Sequence, residues 1–125
     1  MRLLLDTHVA IWLARDADEL TASARRLIEG ADAVYFSSAS LWEATIKVAL
    51  GKLPLAPQRL ADQLLAAGIE PLPVSWAHAL AVHQLPMVHK DPFDRLLVAQ
   101  AMTEPMHLLT HDSQLAAYSP LVLVH

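Results

Sequence analysis

The chain has 125 residues, 54% of them hydrophobic, which suits one domain with a real core. It contains no cysteine, so a disulfide framework, a cysteine–zinc site and a thiol nucleophile are all excluded. A formal charge of −4 argues against broad, purely electrostatic nucleic-acid binding, but leaves room for a site where a bound cation offsets clustered acids.

Arg2-Leu3-Leu4-Leu5 reads as a short buried strand ending at Asp6. Asp6 and His8 break the apolar run too early for a signal peptide. No later stretch approaches the roughly 18 apolar residues of a membrane helix, so a soluble, cytoplasmic protein is expected. Thr7 to Ala14 has helical spacing, which puts Asp6 at the seam between strand and helix. Thr21 predicts the N-cap of a helix through Ile28, stopped near Gly30. Ala33 to Ser37 carries β-type residues and reads as the second strand.

The next helix is expected from about Ser40, because Ser40 and Glu43 have capping-box spacing. Trp42, Ile46, Ala49 and Leu50 would form its apolar face, and Gly51 would end it. Pro57 to Ala67 reads as another helix, with Leu60, Leu64 and Leu65 facing inward. Ile69 to Val74 is a short strand interrupted by Pro71 and Pro73, hence an edge strand. Ser75 caps a helix to about His83.

His89-Lys90-Asp91-Pro92-Phe93-Asp94-Arg95 then opens the apolar run Leu96 to Met102. Proline is tolerated in a first helical turn, so Pro92 falls at N1, Asp91 at the N-cap and Asp94 at N3. The run behind them is apolar on nearly every face and reads as a buried helix. A purely structural role is open to both acids: Asp91 as cap, Asp94 as the acidic half of a capping box. Met106 to Thr110 is a strand, and Asp112 is placed to cap a short helix before Ser119. Leu121 to Val124 is the last strand. Strands alternating with helices imply an α/β fold. The expected architecture is a single α/β/α sandwich over residues 1–125, with a mainly parallel central sheet.

In such a sheet, ligands bind at the carboxyl ends of the strands. Asp6 ends the first strand, and Glu43 lies in the first helical turns after the second. Asp112 follows the fourth strand, and Asp94 begins the helix that leads into it. If strands one, two and four are neighbours, all four acids face one crevice. Clustered carboxylates repel one another and resist desolvation. A hard, oxygen-only set suits Mg²⁺ or Mn²⁺, which can generate a nucleophile from water and orient a phosphodiester. No convincing Ser–His–Asp arrangement for nucleophilic catalysis appears. His78 and His83 are five apart and share no helix face, no His-rich metal motif is formed, and most of the seven histidines read as surface or packing residues. Trp12, Trp42 and Trp76 lie in apolar helical patterns and read as core or interface rather than as base-stacking platforms.

Four stretches carry a family resemblance: Leu3-Leu4-Leu5-Asp6-Thr7; Trp42-Glu43; Asp91-Pro92-Phe93-Asp94-Arg95-Leu96-Leu97-Val98-Ala99-Gln100-Ala101; and Leu109-Thr110-His111-Asp112. Together they resemble PIN-domain ribonucleases, in particular the VapC toxins of type II toxin–antitoxin pairs. Each motif is short, but the four in series span nearly the whole chain. The resemblance implies a PIN-like fold and a metal-dependent endoribonuclease, hydrolysing RNA with a water activated by Mg²⁺ or Mn²⁺. It also implies a homodimer and a cognate antitoxin that holds the enzyme inactive. By position, Asp6, Glu43, Asp94 and Asp112 match the family's catalytic, metal-holding acids. Asp91 is an extra acid, read as a helix cap or accessory. Lys47 is placed to pair with Glu43 four residues before it. With Lys52, Lys90 and Arg95 it is a candidate contact to RNA phosphates.

Two other classes compete. A haloacid-dehalogenase-type phosphatase also puts an Asp after the first strand. It wants a second Asp where this chain has His8, and a lysine after a late strand that is missing here. A non-catalytic PIN-like binding module would keep the fold, but the intact set of acids argues against it.

Overall fold

A computed structural model describes residues 1–125. Leu3, Leu4 and Leu5 have no exposed surface. Successive side chains on a strand point to opposite faces, so three buried leucines in a row require cover on both sides of the sheet. They form β1 (Arg2–Leu5), with β2 (Ala33–Ser37) on one side and β4 (His107–Thr110) on the other. β3 (Glu70–Leu72) and β5 (Val122–Val124) are the edges. The order is β3-β2-β1-β4-β5 and every pair is parallel. The chain runs outward from β1 through β2 to β3, then returns to the other side of β1. The switch in strand order therefore falls between β1 and β4, where a crevice opens in folds of this kind.

Six helices cover the sheet: α1 (Thr7–Ala14), α2 (Ala22–Gly30), α3 (Ser38–Ala49), α4 (Pro57–Ala66), α5 (Trp76–Val82) and α6 (Pro92–Thr103). On one face Leu3, Leu5 and Leu109 pack with Val9 of α1, Ala24 of α2, Ala44 of α3 and Leu60 of α4. On the other, Leu4 and Leu108 pack with Leu97, Val98 and Ala101 of α6 and with Leu115 from the 3-10 turn Ser113–Ala117. This is the α/β/α sandwich expected from the alternation of elements.

Helix α3 departs from the expectation. It begins at Ser38, and its N-cap is Ser37, whose hydroxyl accepts the Ala39 N–H at 3.1 Å. Pairing with β3 carries β2 through Ser37, so the helix starts directly after it. Glu43 therefore lies in the second helical turn and caps nothing. The side expected to be apolar is turned outward: Trp42 and Leu50 are exposed, while Ala39, Ser40, Glu43 and Ala44 are buried. The inward face is small and partly polar because it approaches the end of the sheet rather than its apolar middle. Leu65 of α4 is also exposed, since Leu60 and Leu64, one turn apart, already fill the inward stripe. Trp76 is exposed as well, and of the three tryptophans only Trp12 packs partly against the core.

Arg95 is a buried residue of α6. Its guanidinium donates to the carbonyls of Pro86 (2.9 Å) and Val82 (3.3 Å) and to the Tyr118 hydroxyl (3.1 Å). Tyr118 in turn accepts the His89 N–H at 2.8 Å. Arg95 thus pins the loop between α5 and α6 from beneath, and its charge faces the interior rather than an RNA backbone. Arg95→Ala should cost about 3 kcal/mol of stability, since it strands two carbonyls and a hydroxyl. Arg95→Lys should recover little, because one ammonium cannot reproduce the planar fork. Denaturant unfolding of the two variants measures both.

Candidate active site

Asp6 follows β1 directly, and its backbone N–H continues the sheet by donating to Leu109 at 2.9 Å. Its side chain is 5% exposed. One carboxylate oxygen caps α1 by accepting the His8 N–H (3.3 Å); the other accepts the Thr110 hydroxyl at 2.5 Å. Thr110 ends β4, and its oxygen also accepts the Asp112 N–H at 3.0 Å. One threonine therefore ties the acid after β1 to the acid after β4. Asp112 caps the 3-10 turn with one oxygen (Gln114 N–H, 3.0 Å) and meets His89 Nε2 at 3.0 Å with the other.

At the start of α6, Asp91 is the cap. Its Oδ1 accepts the N–H groups of Phe93 (2.8 Å) and Asp94 (3.2 Å). The N–H of Asp91 itself goes to His89 Nδ1 at 3.0 Å, so no capping box closes through Asp94. The Asp94 carboxylate is left to the crevice, with Oδ2 3.7 Å from His89 Nε2. Its pKa is pushed up to about 7. Burial is the largest cause; the charges of Asp6, Asp91 and Glu43 push the same way, and His89 opposes them. Asp94 is thus within electrostatic reach of the acids that follow β1 and stand on α3.

Glu43 is buried on α3. Oε2 lies 3.5 Å from Lys47 Nζ, and Oε1 is buried with no hydrogen-bond partner. A stranded carboxylate oxygen normally costs several kcal/mol, on the order of the desolvation of a polar group, unless something else satisfies it. A hard divalent cation would do so, and Asp6, Glu43, Asp94 and Asp112 could offer it only oxygens, although Asp6 and Glu43 lie outside the closest group of ligand atoms. Single ligand atoms of His89, Asp94 and Asp112 also lie within 4.8 Å of one another. Because His89 Nδ1 accepts a backbone N–H, the neutral ring carries its proton on Nε2. It therefore offers Asp112 a donor.

His89 is the site residue that sequence reasoning missed. Its one local sign is its place two residues before a capping Asp, which is too weak to assign a role. Its contact with Asp112 spans 23 residues of sequence. Among the basic candidates, Lys47 Nζ is also 3.0 Å from His8 Nε2. Lys52 is exposed and lines a cleft beside His8, Trp12 and Lys47; Lys90 is exposed in the loop before α6. Arg95 is not brought to the crevice. His8, where a dehalogenase-type phosphatase would need an acid, turns its ring to Lys47.

An all-parallel α/β/α sandwich with this strand order is the fold of a known class. The PIN domain family model matches residues 3–119. Ribonuclease VapC22 of Mycobacterium tuberculosis is 31% identical over 122 residues, covering 93% of this chain and 91% of that protein. A chain from the crystal structure of VapBC2 of Rickettsia felis, bound to a DNA fragment from its promoter, shares the fold. Its TM-score is 0.69 at 16% identity, covering 100% of this chain and 98% of that one. A chain of the DNA-bound VapBC structure from Salmonella typhimurium gives 0.70 at 16% identity, covering 100% and 97%. This chain belongs to the PIN domain family.

The raised pKa of Asp94 fixes a sign. The folded chain holds a proton there up to about pH 7, whereas an unfolded Asp loses it near the ordinary 3.8. Without divalent cations, this group makes stability fall as pH rises between those two values. Asp94→Asn removes that penalty. In EDTA the variant should melt at or above the wild-type temperature near about pH 8, and the difference should shrink or reverse near about pH 5. A variant much less stable at both pH values would make Asp94 chiefly structural. Melting curves across that range decide it.

Proposed function

We propose that this chain is the toxin of a type II toxin–antitoxin pair, a metal-dependent endoribonuclease that hydrolyses RNA phosphodiester bonds. Asp6, Glu43, Asp94 and Asp112 hold Mg²⁺ or Mn²⁺. The observation that carries this reading is the buried, partnerless Oε1 of Glu43, beside a second acid, Asp94, whose pKa is raised by burial and by the charges of Asp6, Asp91 and Glu43. When bound, the ion lowers the pKa of water and stabilises charge on the phosphodiester. The chain supplies the orientation. Thr110 holds Asp6, the Nε2–H of His89 holds Asp112, and Asp91 sets the start of the helix that carries Asp94. Lys47, Lys52 and Lys90 are the basic residues offered to the RNA backbone. Asp91 acts as a cap.

A cognate antitoxin is the partner that the VapBC relatives suggest, and a cytoplasmic location goes with that role. No helix is long and apolar enough to cross a membrane. A homodimer is supported by the outer face of α5, where Trp76 and Leu80, one turn apart, are 89% and 71% exposed, followed by exposed Met87 and Val88.

Two measurements test the catalytic reading. Mn²⁺ or Mg²⁺ should raise the melting temperature and switch on cleavage, since a ligand of the folded state stabilises it. Full cleavage in excess EDTA overturns the metal mechanism. Glu43→Gln should melt in EDTA at or above the wild-type temperature, because Glu43 caps nothing. Cleavage at saturating Mn²⁺ should fall on the order of 100-fold or more. A wild-type rate would remove Glu43 from the site, and absence of cleavage in the wild type would leave the non-catalytic module as the better reading.

The assembly is tested by light scattering. Wild-type protein should give the dimer mass, and Leu80→Asp the monomer mass at the same concentration. A monomer mass for the wild type across a wide concentration range overturns the dimer.

A further inference from the structure

We infer that the cleft between α1 and the α3–α4 connection seats one unpaired nucleotide of the RNA strand. The base lies against Trp12 and the phosphate against Lys47 and Lys52. This rests on the ribonuclease reading and adds to it a place where the strand is gripped.

The cleft has a volume of about 390 Å³, within the range of small-ligand sites. Arg15, Lys47 and Lys52 line it against one acid, Glu19, and the neutral His8 ring accepts from Lys47 at its edge. In a chain of net charge −4, that is a local concentration of positive charge and hence a place for an anion. Its wall is shared with the acidic site. The His8 N–H donates to Asp6, and Lys47 Nζ stands between His8 Nε2 (3.0 Å) and Glu43 Oε2 (3.5 Å).

Trp12 supplies the second element of nucleotide recognition. The His111 ring meets it edge-on, centroids 5.5 Å apart and planes at 77°, and the His8 ring lies 6.1 Å away, tilted by 43°. Cations that track a backbone beside a fixed aromatic face are the means by which single strands are held without base pairing. A duplex keeps its bases stacked and cannot present one to an indole. A poly-glutamate peptide would satisfy the lysines but has no aromatic or apolar group to place on Trp12.

The experiment measures binding in EDTA, where the strand stays intact, by fluorescence anisotropy of a labelled single-stranded RNA and of its duplex. The wild type should prefer the single strand. Trp12→Leu keeps an apolar side chain against the core but removes the ring, and should weaken binding roughly tenfold. Lys52→Ala, at an exposed position, should weaken it too. It should also lower the slope of log affinity against log salt by roughly 0.7, the value for one phosphate contact on a single strand. Both should melt near the wild-type temperature, and Lys52→Ala decides the matter if Trp12→Leu does not fold. With Mn²⁺ the same variants should raise KM more than they lower kcat. Unchanged affinity in Lys52→Ala, no preference over the duplex, or equal competition by a poly-glutamate peptide overturns the proposal. If the wild type binds the single strand with these dependences but never cleaves it, the catalytic reading fails and the cleft stands. If it cleaves and the variants bind as wild type, the reverse holds.

Discussion

Bringing acids together at the buried end of a parallel sheet is the constraint on which the rest of this structure depends. A carboxylate taken out of water loses hydration, and a second beside it adds repulsion. The protein compensates acid by acid. Asp6 receives a hydroxyl and a backbone N–H, and Asp112 receives a backbone N–H and an imidazole. Glu43 keeps one oxygen without a partner, and Asp94 is relieved by holding a proton well above the ordinary carboxylate range. The uncompensated remainder is what a cation would neutralise, so the charge that would favour a metal here is the charge that opposes folding without one.

The compensation requires rigid supports, and these are polar residues buried outside the site. Thr110 serves β1 and β4 at once. Arg95 and Tyr118 fix the loop that carries His89, so the imidazole reaches Asp112 from a pinned backbone. On the far side of α6, His78 closes the capping box of α5 and bonds Glu104, which ties the two helices together. Thr110 sets where Asp6 can be, and Arg95 with Tyr118 sets where His89 can be.

The surface divides the remaining tasks. Positive charge gathers beside α1, adjoining the acids, and apolar surface gathers on the outside of α5. A chain with net negative charge can therefore meet a polyanion locally, while a different face remains for protein contact.

The local features were legible in the sequence. The Leu3–Leu5 triplet implied a strand covered on both faces, Ala33–Ser37 was readable as β2, and Pro92 behind Asp91 marked a capped helix. Those depend on side-chain period and backbone chemistry within a few residues. The tertiary structure decided what depends on distant neighbours. Ser37, Ser38 and Ser40 are all adequate caps, and pairing of Ser37 with Leu72 of β3 selected the first, which removed the capping role from Glu43. Apolar spacing marked Trp42, Leu65 and Trp76 as packing residues but could not say which face another element would cover. Arg95 looked like a surface cation and is an interior brace; His89 looked ordinary and is hydrogen-bonded to an acid of the site. Hydrophobic pattern records which residues avoid water on average, whereas the use of a buried charge depends on which partners the fold brings to it.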